Sequence, residues 1–418
     1  MSARRTLEQW LAEDAERNVD LLQRFARIDT ANPPGDTRDG AAFLTTVLHE
    51  HGAQHRVIAP QETMPNILAH VDGAGTGRHL VLNGHIDVFP VGDRALWQRD
   101  PWSGDIVDGR LHGRGVVDMK CGTTASLLTF LYLSRLREHW TGRLTLTIVS
   151  DEETGGRWGS GYLVRELADE VLGDCVMNGE PSSVETVRFS EKAILWAHVV
   201  VRTPGAHGAY THKSESATRL AAKIITELDR IEELAPDTPP EVASILAEPQ
   251  VVAAIEAGLG EGASGIIQKA TVNVGVVQGG VKQNMMPGEC RFELDIRLPV
   301  GLSRAHVLGK LRAILARYPQ AELIEIDTGG GDATWSDPRH EMLEIMRDNA
   351  EVGLGRRPQP IVNLGATDCR FWRAAGIPSF VYGCSPEGMG VPNESVAIDE
   401  FLHIVRTHAL SAFDYLSR

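Results

Sequence analysis

The stretch that decides the fold is His79-Leu80-Val81-Leu82-Asn83-Gly84-His85-Ile86-Asp87, a short apolar run that ends in a histidine and a carboxylate. Its first part, residues 79–83, predicts a buried strand. Strand-like and helix-like runs alternate around it. Further strands are predicted at Asn66–Val71, Leu144–Val149 and Cys175–Asn178, and helices at Lys120–Glu138 and Tyr162–Val171. The alternation predicts a βαβ architecture with a mixed, mainly parallel sheet.

A second, smaller domain is predicted from a change of rhythm near residue 190. Alternating strands dominate from there, which favours an α+β unit covered on one face only. The predicted strands are Ala193–Arg202, Ala270–Val277, Arg291–Arg297 and Glu322–Ile326, the helices Ser216–Leu234 and Arg304–Tyr318, with an irregular stretch around Pro236, Pro239 and Pro240. Helix–strand alternation resumes after Gly329-Gly330-Gly331. We therefore expect one domain from residues 1–190 and 329–418, with residues 191–328 inserted into it.

Composition limits the partners and the compartment. The net charge of −15 disfavours nucleic acid, whose phosphates need a basic face. The sequence contains no run of about 18 apolar residues, so no membrane span is predicted. The N-terminal region predicts a charged amphipathic helix over Leu7–Leu22 and lacks the apolar core of a signal peptide. Five scattered cysteines argue against a disulfide framework and against a zinc–thiolate cluster, so we expect a cytoplasmic protein.

The first candidate site residue is His85, which comes just after the predicted strand 79–83. A neutral imidazole is a good ligand for zinc, manganese or cobalt. Asp87, two residues on, is placed to accept a hydrogen bond from the second ring nitrogen and to hold the ring in one tautomer. Taken alone, this pair is more often a polar turn after a strand than a metal site.

Three acidic motifs lie beside other predicted elements. Asp118 precedes a helix, Asp151-Glu152-Glu153 follows the strand that ends at residue 149, and Glu180 follows the strand that ends at residue 178. Each has an ordinary explanation: a helix cap, a solvated acidic loop and a surface turn. Ligands of α/β proteins, however, collect at the carboxyl ends of the strands. The whole set, together with His85, therefore predicts a divalent-metal centre.

These motifs make the chain resemble the M20 family of metallopeptidases and amidohydrolases, which includes acetylornithine deacetylase, succinyl-diaminopimelate desuccinylase and carboxypeptidase G. The resemblance covers nearly the whole chain. It implies a zinc-peptidase-like catalytic domain with an inserted lid or dimerisation domain. It further implies that His85 and Glu180 hold a first metal and that Asp118 bridges two metals. Glu152 would be the general base and Glu153 a ligand of the second metal.

Other site residues also follow from the resemblance. In Gly205-Ala206-His207-Gly208, His207 matches the family histidine that reaches a neighbouring subunit's active site. Asn284 lies where the family has a substrate-contacting asparagine. Arg370 matches a position that often grips a substrate carboxylate, a task that suits a guanidinium. An ordinary surface salt bridge is the alternative for Arg370.

The chain departs from the family pattern near its C-terminus. The family has His-x-x-Asn-Glu there, with the histidine on the second metal, whereas here Gly390 precedes Val391-Pro392-Asn393-Glu394. We expect one well-held ion and a weak or absent second site. Cys384 could replace the missing ligand, but a buried structural cysteine is more common, and His403 and His408 are expected to be structural. Tyr210, near His207, and the gap at Gly390 are expected to reshape the substrate pocket.

The leading functional hypothesis is hydrolysis of a C–N bond in a carboxylate-bearing small molecule, such as an N-acyl amino acid, an amide or a short peptide. An alternative within the same family replaces an aromatic amine by hydroxyl and releases ammonia, as 5-nitroanthranilate aminohydrolase does. A second alternative is a relative that binds metal or ligand without turnover, which the base Glu152 argues against. The lid histidine leads us to expect a homo-oligomer.

Overall fold

A computed structural model describes residues 2–418. Its largest element is an eight-stranded mixed sheet. In spatial order its strands are His55–Ile58, Asn66–Asp72, Arg143–Val149, His79–His85, Cys175–Asn178, Ser379–Val381, Thr186–Glu191 and Gln359–Asn363. The predicted mixed, mainly parallel sheet is confirmed, since the inner strands 143–149, 79–85, 175–178 and 379–381 all run in parallel. The carboxyl ends of these strands therefore share one edge of the sheet.

Helices cover both faces of the large sheet. These helices are Ala3–Glu13, Ala15–Ala26, Arg38–Glu50, Cys121–Arg135, Ser160–Glu166, Ala168–Val171, Glu341–Leu354, Cys369–Ala374 and Ile398–Leu416. The main core forms where Cys121–Arg135 and Ile398–Leu416 pack on one face. Smaller apolar clusters around Leu163 and Trp372 close the other face. Because both faces are covered, the strands are buried along almost their whole length, which explains their continuous apolar runs.

A second sheet is four-stranded and entirely antiparallel. Its strands, in spatial order, are Thr271–Gly279, Glu289–Leu298, Ala193–Arg202 and Ala321–Ile326. Helices Ala217–Glu227, Asp229–Glu232 and Arg304–Leu315 form its core on one face. Strand residues alternate between that core and the other face, as the burial of Glu289–Leu298 shows. A separate two-stranded ribbon pairs Ala206–His207 with Met285–Met286.

The structure differs from the prediction in the stretch after Pro236. Residues that the sequence suggested were irregular form the helices Pro240–Leu246, Pro249–Leu259 and Ala263–Ile266. Their apolar side chains, including Val251 and Ile255, join the core of the large sheet rather than that of the small one. Local periodicity cannot show which of two cores a helix joins, because that depends on long-range packing. This segment returns to the large sheet and lies beside its edge strand, 359–363.

The N-terminal helix is also different, because it divides at Asp14 into Ala3–Glu13 and Ala15–Ala26. A short acidic side chain favours helix ends over interiors. No single helix within residues 2–418 is long and apolar enough to cross a membrane. The helices 240–246 and 249–259 together have the length and apolar composition of a membrane span, but they meet at a bend of 73°.

Candidate metal centre

The candidate site lies where the parallel strands of the large sheet end. Strand 79–85 lies between strands 143–149 and 175–178, and all three run in the same direction. His85 ends the first strand, while Glu152 and Glu180 lie just beyond the other two. Tertiary structure thus brings together three motifs that are up to about a hundred residues apart in sequence.

Asp118 joins them through a close backbone contact. Its segment leads into helix 121–135, whose second residue, Gly122, packs directly on Gly179. A Cβ atom on Gly122 would lie 1.9 Å from the Gly179 carbonyl oxygen, so only glycine fits there. This approach sets Asp118 beside Glu180.

The imidazole of His85 is the centre of the cluster. Its Nε2 lies 3.2 Å from an Asp118 oxygen and 3.3 Å from a Glu180 oxygen. Its Nδ1 lies 2.7 Å from the backbone carbonyl oxygen of Asp87. Because a carbonyl only accepts, Nδ1 carries the proton in the neutral ring, which leaves the Nε2 lone pair for a metal.

The proposed part of Asp87 in orienting His85 therefore needs correction. The backbone carbonyl of Asp87 accepts the Nδ1 hydrogen bond, whereas its carboxylate lies 3.6 Å from Nδ1. The carboxylate instead accepts from the backbone N–H groups of Glu152 and Glu153, at 3.3 and 3.1 Å, and from the Asn32 amide at 2.9 Å. The buried carboxylate of Asp87 thus fixes the loop that carries Glu152 and Glu153. A sequence pattern cannot show whether the backbone or the side chain of Asp87 contacts His85.

Two overlapping sets of side chains within residues 2–418 can hold an ion. One is His85, Glu152 and Glu180, and the other is His85, Asp118 and Glu153; within each set the ligand atoms lie within 4.8 Å of one another. Burial, and then the charge of Asp118, raise the pKa of Glu153 and of Glu180 well above the ordinary value. The Oε1 atom of Glu153 is buried without a hydrogen-bond partner. Crowded, unsatisfied carboxylate oxygens beside a free imidazole nitrogen fit a divalent cation.

Glu152 is positioned differently from the other acids. Its Oε1 lies 3.3 Å from Nη1 of Arg370, which also donates to the carbonyl of Thr367 at 2.9 Å. Burial raises the pKa of Glu152, and the charge of Arg370 opposes that rise. A buried carboxylate with a raised pKa is a stronger base than an exposed one. Arg370 is thus neither an ordinary surface ion pair nor free for substrate in this conformation.

Comparison with known proteins agrees with this geometry. The model of peptidase family M20/M25/M40 matches residues 81–413. The chain belongs to this family. It is 30% identical, over 319 residues, to succinyl-diaminopimelate desuccinylase of Cereibacter sphaeroides strain ATCC 17029, a match that covers 74% of this chain and 77% of that one. As an M20 protein it is a hydrolytic enzyme that acts on C–N bonds of the amide or peptide type and is metal-dependent.

Solved structures share the fold of this M20 chain. The metallo-carboxypeptidase Sso-CP2 of Sulfolobus solfataricus superimposes with a TM-score of 0.82 at 18% identity, covering 96% of this chain and 99% of the other. A dinuclear metal binding peptidase of Bacillus subtilis superimposes with a TM-score of 0.60 at 16% identity, covering 97% and 99%. At these identities the likeness shows the common fold alone.

The residues predicted in the lid lie at or beside the two-stranded ribbon. His207 pairs there with Met285, and the Gly208 N–H donates to the carbonyl of the preceding Asn284 at 2.8 Å. The Tyr210 ring lies 5.6 Å from the His207 ring and is 49% exposed. Among the described residues that line the cleft with Asp118 and Glu180, none of the three predicted lid residues appears.

The loop at Gly390 has a glycine-type backbone conformation. Its φ is +73°, and a Cβ atom there would lie 3.4 Å from the ring of Phe89. The following Glu394 is buried and accepts from Arg114 at 2.7 Å and from the N–H of Val117 at 2.8 Å. Glu394 therefore supports the segment that carries Asp118.

The remaining candidates for a replacement ligand have structural contacts. The Cys384 thiol is buried 3.6 Å from the Val117 carbonyl oxygen. His403 lies 2.7 Å from the Tyr382 hydroxyl, and His408 lies 2.7 Å from the Tyr382 carbonyl. In the described chain none of the three belongs to a set that could hold an ion.

Sequence reasoning missed three residues of the site. Asn32 holds Asp87, and Asp368 lies buried near Glu152, where burial raises its pKa to about 8. Arg188 lines the cleft of about 650 Å³ that also contains Asp118 and Glu180. The one signal for Arg188 in the sequence is a charge between the apolar residues Val187 and Phe189.

Proposed function

We propose that this chain hydrolyses the C–N bond of a carboxylate-bearing small molecule, an N-acyl amino acid, an amide or a short peptide, with Glu152 as the general base. The observation that carries the proposal is the buried Glu152 carboxylate beside the cluster around His85. A divalent cation bound there, zinc, manganese or cobalt, would polarise the scissile carbonyl and lower the pKa of a water molecule.

The residues of the chain would divide the reaction between them. Glu152 takes a proton from the water that attacks the carbonyl carbon, and then gives that proton to the leaving nitrogen as the C–N bond breaks. His207 of a second subunit would stabilise the negative charge that develops on the carbonyl oxygen. The products are a carboxylate and an amine. This scheme requires a homo-oligomer, because it takes His207 from a second subunit.

We further propose that the centre holds one ion tightly and a second weakly or not at all. Both candidate ligand sets share His85, so they describe one centre rather than two independent ones. Gly390 supplies no side chain where relatives have a ligand, and the described residues around it offer no substitute. Metal analysis of gently purified protein tests this, and two tightly held ions per chain would contradict it.

The decisive test of the catalytic proposal is Glu152→Gln, which keeps the size of the side chain but not its basicity. We expect kcat on a panel of N-acyl amino acids and dipeptides to fall by roughly 10²–10⁴-fold. Metal should still bind, because the set His85, Asp118 and Glu153 remains intact. The exposed Glu387→Gln, at the rim of the same cleft, is the matched control. Full activity of the Glu152 variant would remove the proposal.

A second candidate is the replacement of an aromatic amine by hydroxyl. The Phe89 ring, which is 40% exposed beside Gly390, favours it, because an exposed aromatic surface suits a flat substrate. The measurement is ammonia release from carboxylate-bearing aryl amines such as 5-nitroanthranilate. No ammonia from any of them would exclude this candidate.

We also propose a cytoplasmic location and no stable membrane or nucleic-acid partner. All five cysteines are free and buried, which suits a reducing compartment. Fractionation of cells that express the full chain tests this location.

A further inference from the structure

Arg188 is an unusual residue for its position in the fold. It lies in strand 186–191, between strands 379–381 and 359–363, and every residue of its strand is buried. Val187 and Phe189, on either side of it, belong to the apolar core. Because neighbouring strand residues point to opposite faces, the Arg188 side chain leaves that core and reaches the cleft.

The guanidinium of Arg188 has no partner within residues 2–418. The residue is only 4% exposed, its Nε has no hydrogen bond, and it forms no salt bridge. The charges of Glu180, Glu191 and Asp118 act on it only through space, and Glu191 forms its salt bridge with Arg373 instead. Burial lowers the pKa of Arg188 to about 10, so the group is still protonated near neutral pH.

A buried, unpaired charge costs several kcal/mol of folding free energy. Glu394 illustrates the usual solution, since it pairs with buried Arg114 at 2.7 Å. Arg188 has no such carboxylate from its own chain, although its guanidinium faces a cleft that holds two metal ligands. The missing counter-charge can therefore come from a molecule that enters the cleft.

Part of the wall of this cleft comes from the segment that returns to the large sheet. Ala257, Gly258 and Leu259, at the end of helix 249–259, line the same cleft as Asp118 and Glu180. Gly258 packs close to the start of the Arg188 strand, where a Cβ atom would lie 3.8 Å from Ser183 and from Thr186. The helix end therefore forms a part of the cleft wall that is packed against the start of the Arg188 strand.

We propose that Arg188 binds a terminal carboxylate of the substrate, and that the helix end at Ala257–Leu259 limits how far the substrate extends beyond it. This inference rests on the proposed function and adds the residue that recognises the acid. A guanidinium suits the task because it offers two parallel N–H donors to a carboxylate. The other arginine considered for this task, Arg370, has its guanidinium held by Glu152.

The test measures binding without turnover, in the Mn²⁺-loaded Glu152→Gln protein. The probe is N-succinyl-L-alanine, which has a carboxylate on each side of its amide bond, with two analogues in which one or the other carboxylate is a carboxamide. In calorimetric titrations we expect Arg188→Met to weaken the diacid by about 10–100-fold, as for a lost hydrogen bond between charged groups. It should weaken one monoamide equally and leave unchanged the other, which lacks the carboxylate that Arg188 binds.

Several results would overturn the inference. One is equal weakening of all three probes together with loss of Mn²⁺, because Arg188 would then only balance the charge of the metal ligands. Unchanged binding of all three, or no binding of the diacid to the parent protein, would also overturn it. Arg188→Lys keeps the charge but not the fork, so an intermediate loss is expected, and this variant serves if the methionine variant does not fold. Arg356→Met, at an exposed arginine, is the control.

Failure here is distinguishable from failure of the proposed function. Substrate binding does not depend on Glu152 being the base. A Glu152→Gln protein that remained active would therefore reject the mechanism, and the affinities of the Arg188 variants would still decide the inference. Conversely, an inactive Glu152 variant with unaltered diacid affinity in the Arg188 series rejects only the inference.

Discussion

The metal cluster and the lid ribbon carry functional side chains in opposite ways. His85, Asp118 and Glu180 lie at the edge of a sheet that is buried on both faces, and each is fixed by hydrogen bonds or close backbone packing. His207 lies on a two-stranded ribbon, Tyr210 lies in the turn that follows it, and both are exposed. The first region is preorganised within one chain, whereas the second has contacts mainly with itself.

This difference separates what one chain can do from what needs a partner. A rigid, buried cluster can hold an ion in the monomer, since its geometry does not depend on another molecule. An exposed histidine on a short ribbon becomes useful only when a site is brought to it. Substitutions in the two regions should therefore differ in which property they change.

The largest expected effect is at the cluster, from Glu180→Gln. This variant removes a ligand charge, so kcat should fall on the order of 10³-fold, the loss of several kcal/mol of transition-state stabilisation. Mn²⁺ should also stop raising its melting temperature, because the cation stabilises the wild type by relieving the crowded carboxylates. Differential scanning calorimetry with and without metal measures this. Glu185→Gln, at a half-exposed glutamate nearby, should behave as wild type.

The next effect is at the ribbon, from His207→Ala. We expect a fall in kcat of about 10²–10³-fold with no change in metal content or melting temperature, since an exposed donor to the developing oxyanion is lost. Mixing inactive His207→Ala and Glu152→Gln subunits should restore about a quarter of the activity, because hybrid dimers contain one intact site. No restoration after subunit exchange would place His207 outside the partner's site. Exposed His212→Ala is the control.

A smaller effect is expected from Asp87→Asn, which sharpens the comparison within the cluster. The carboxylate accepts the N–H groups of Glu152 and Glu153, so its loss should loosen the loop that carries the base. We expect kcat to fall by roughly 10–100-fold, as for residues that orient metal ligands. Metal affinity and kcat are measured together. An unchanged kcat would show that the loop keeps its place without this clamp.

The smallest effect on catalysis is expected from His408→Gln, which should change only the stability. Burial lowers the pKa of His408 to about 4, below its unfolded value of 6.5, so the folded state holds it neutral. As pH falls from 6.5 towards 4, His408 is protonated in the unfolded chain but stays neutral in the folded chain. The free energy of unfolding therefore decreases, by at most ~3 kcal/mol. Urea unfolding at pH 7 and pH 4.5 should show that the free energy of unfolding decreases less between these pH values in the variant than in the wild type. A loss equal to that of wild type would contradict this, and exposed His306→Gln controls for removing a histidine.

Much of this protein could be predicted from local sequence. Continuous apolar runs such as residues 79–83 identify buried strands, and polar motifs directly after them identify the functional edge, because parallel strands end together. The mixed, mainly parallel sheet followed from these patterns, as did the membership of the M20 family. Helix boundaries were less accurate at Asp14, where one amphipathic pattern continues across a break.

Only the tertiary structure decided the rest, because it depends on contacts between distant residues. The sequence could nominate Asp87 as a partner of His85, but the packing made its carboxylate a clamp on Glu152 and Glu153. Helix 249–259 joined the core of the large sheet although it is encoded between strands of the small one. In the sequence Arg188 is only a charge between two apolar residues. Its unpaired burial in the cleft with the metal ligands exists only once strand 186–191 is in its place in the sheet.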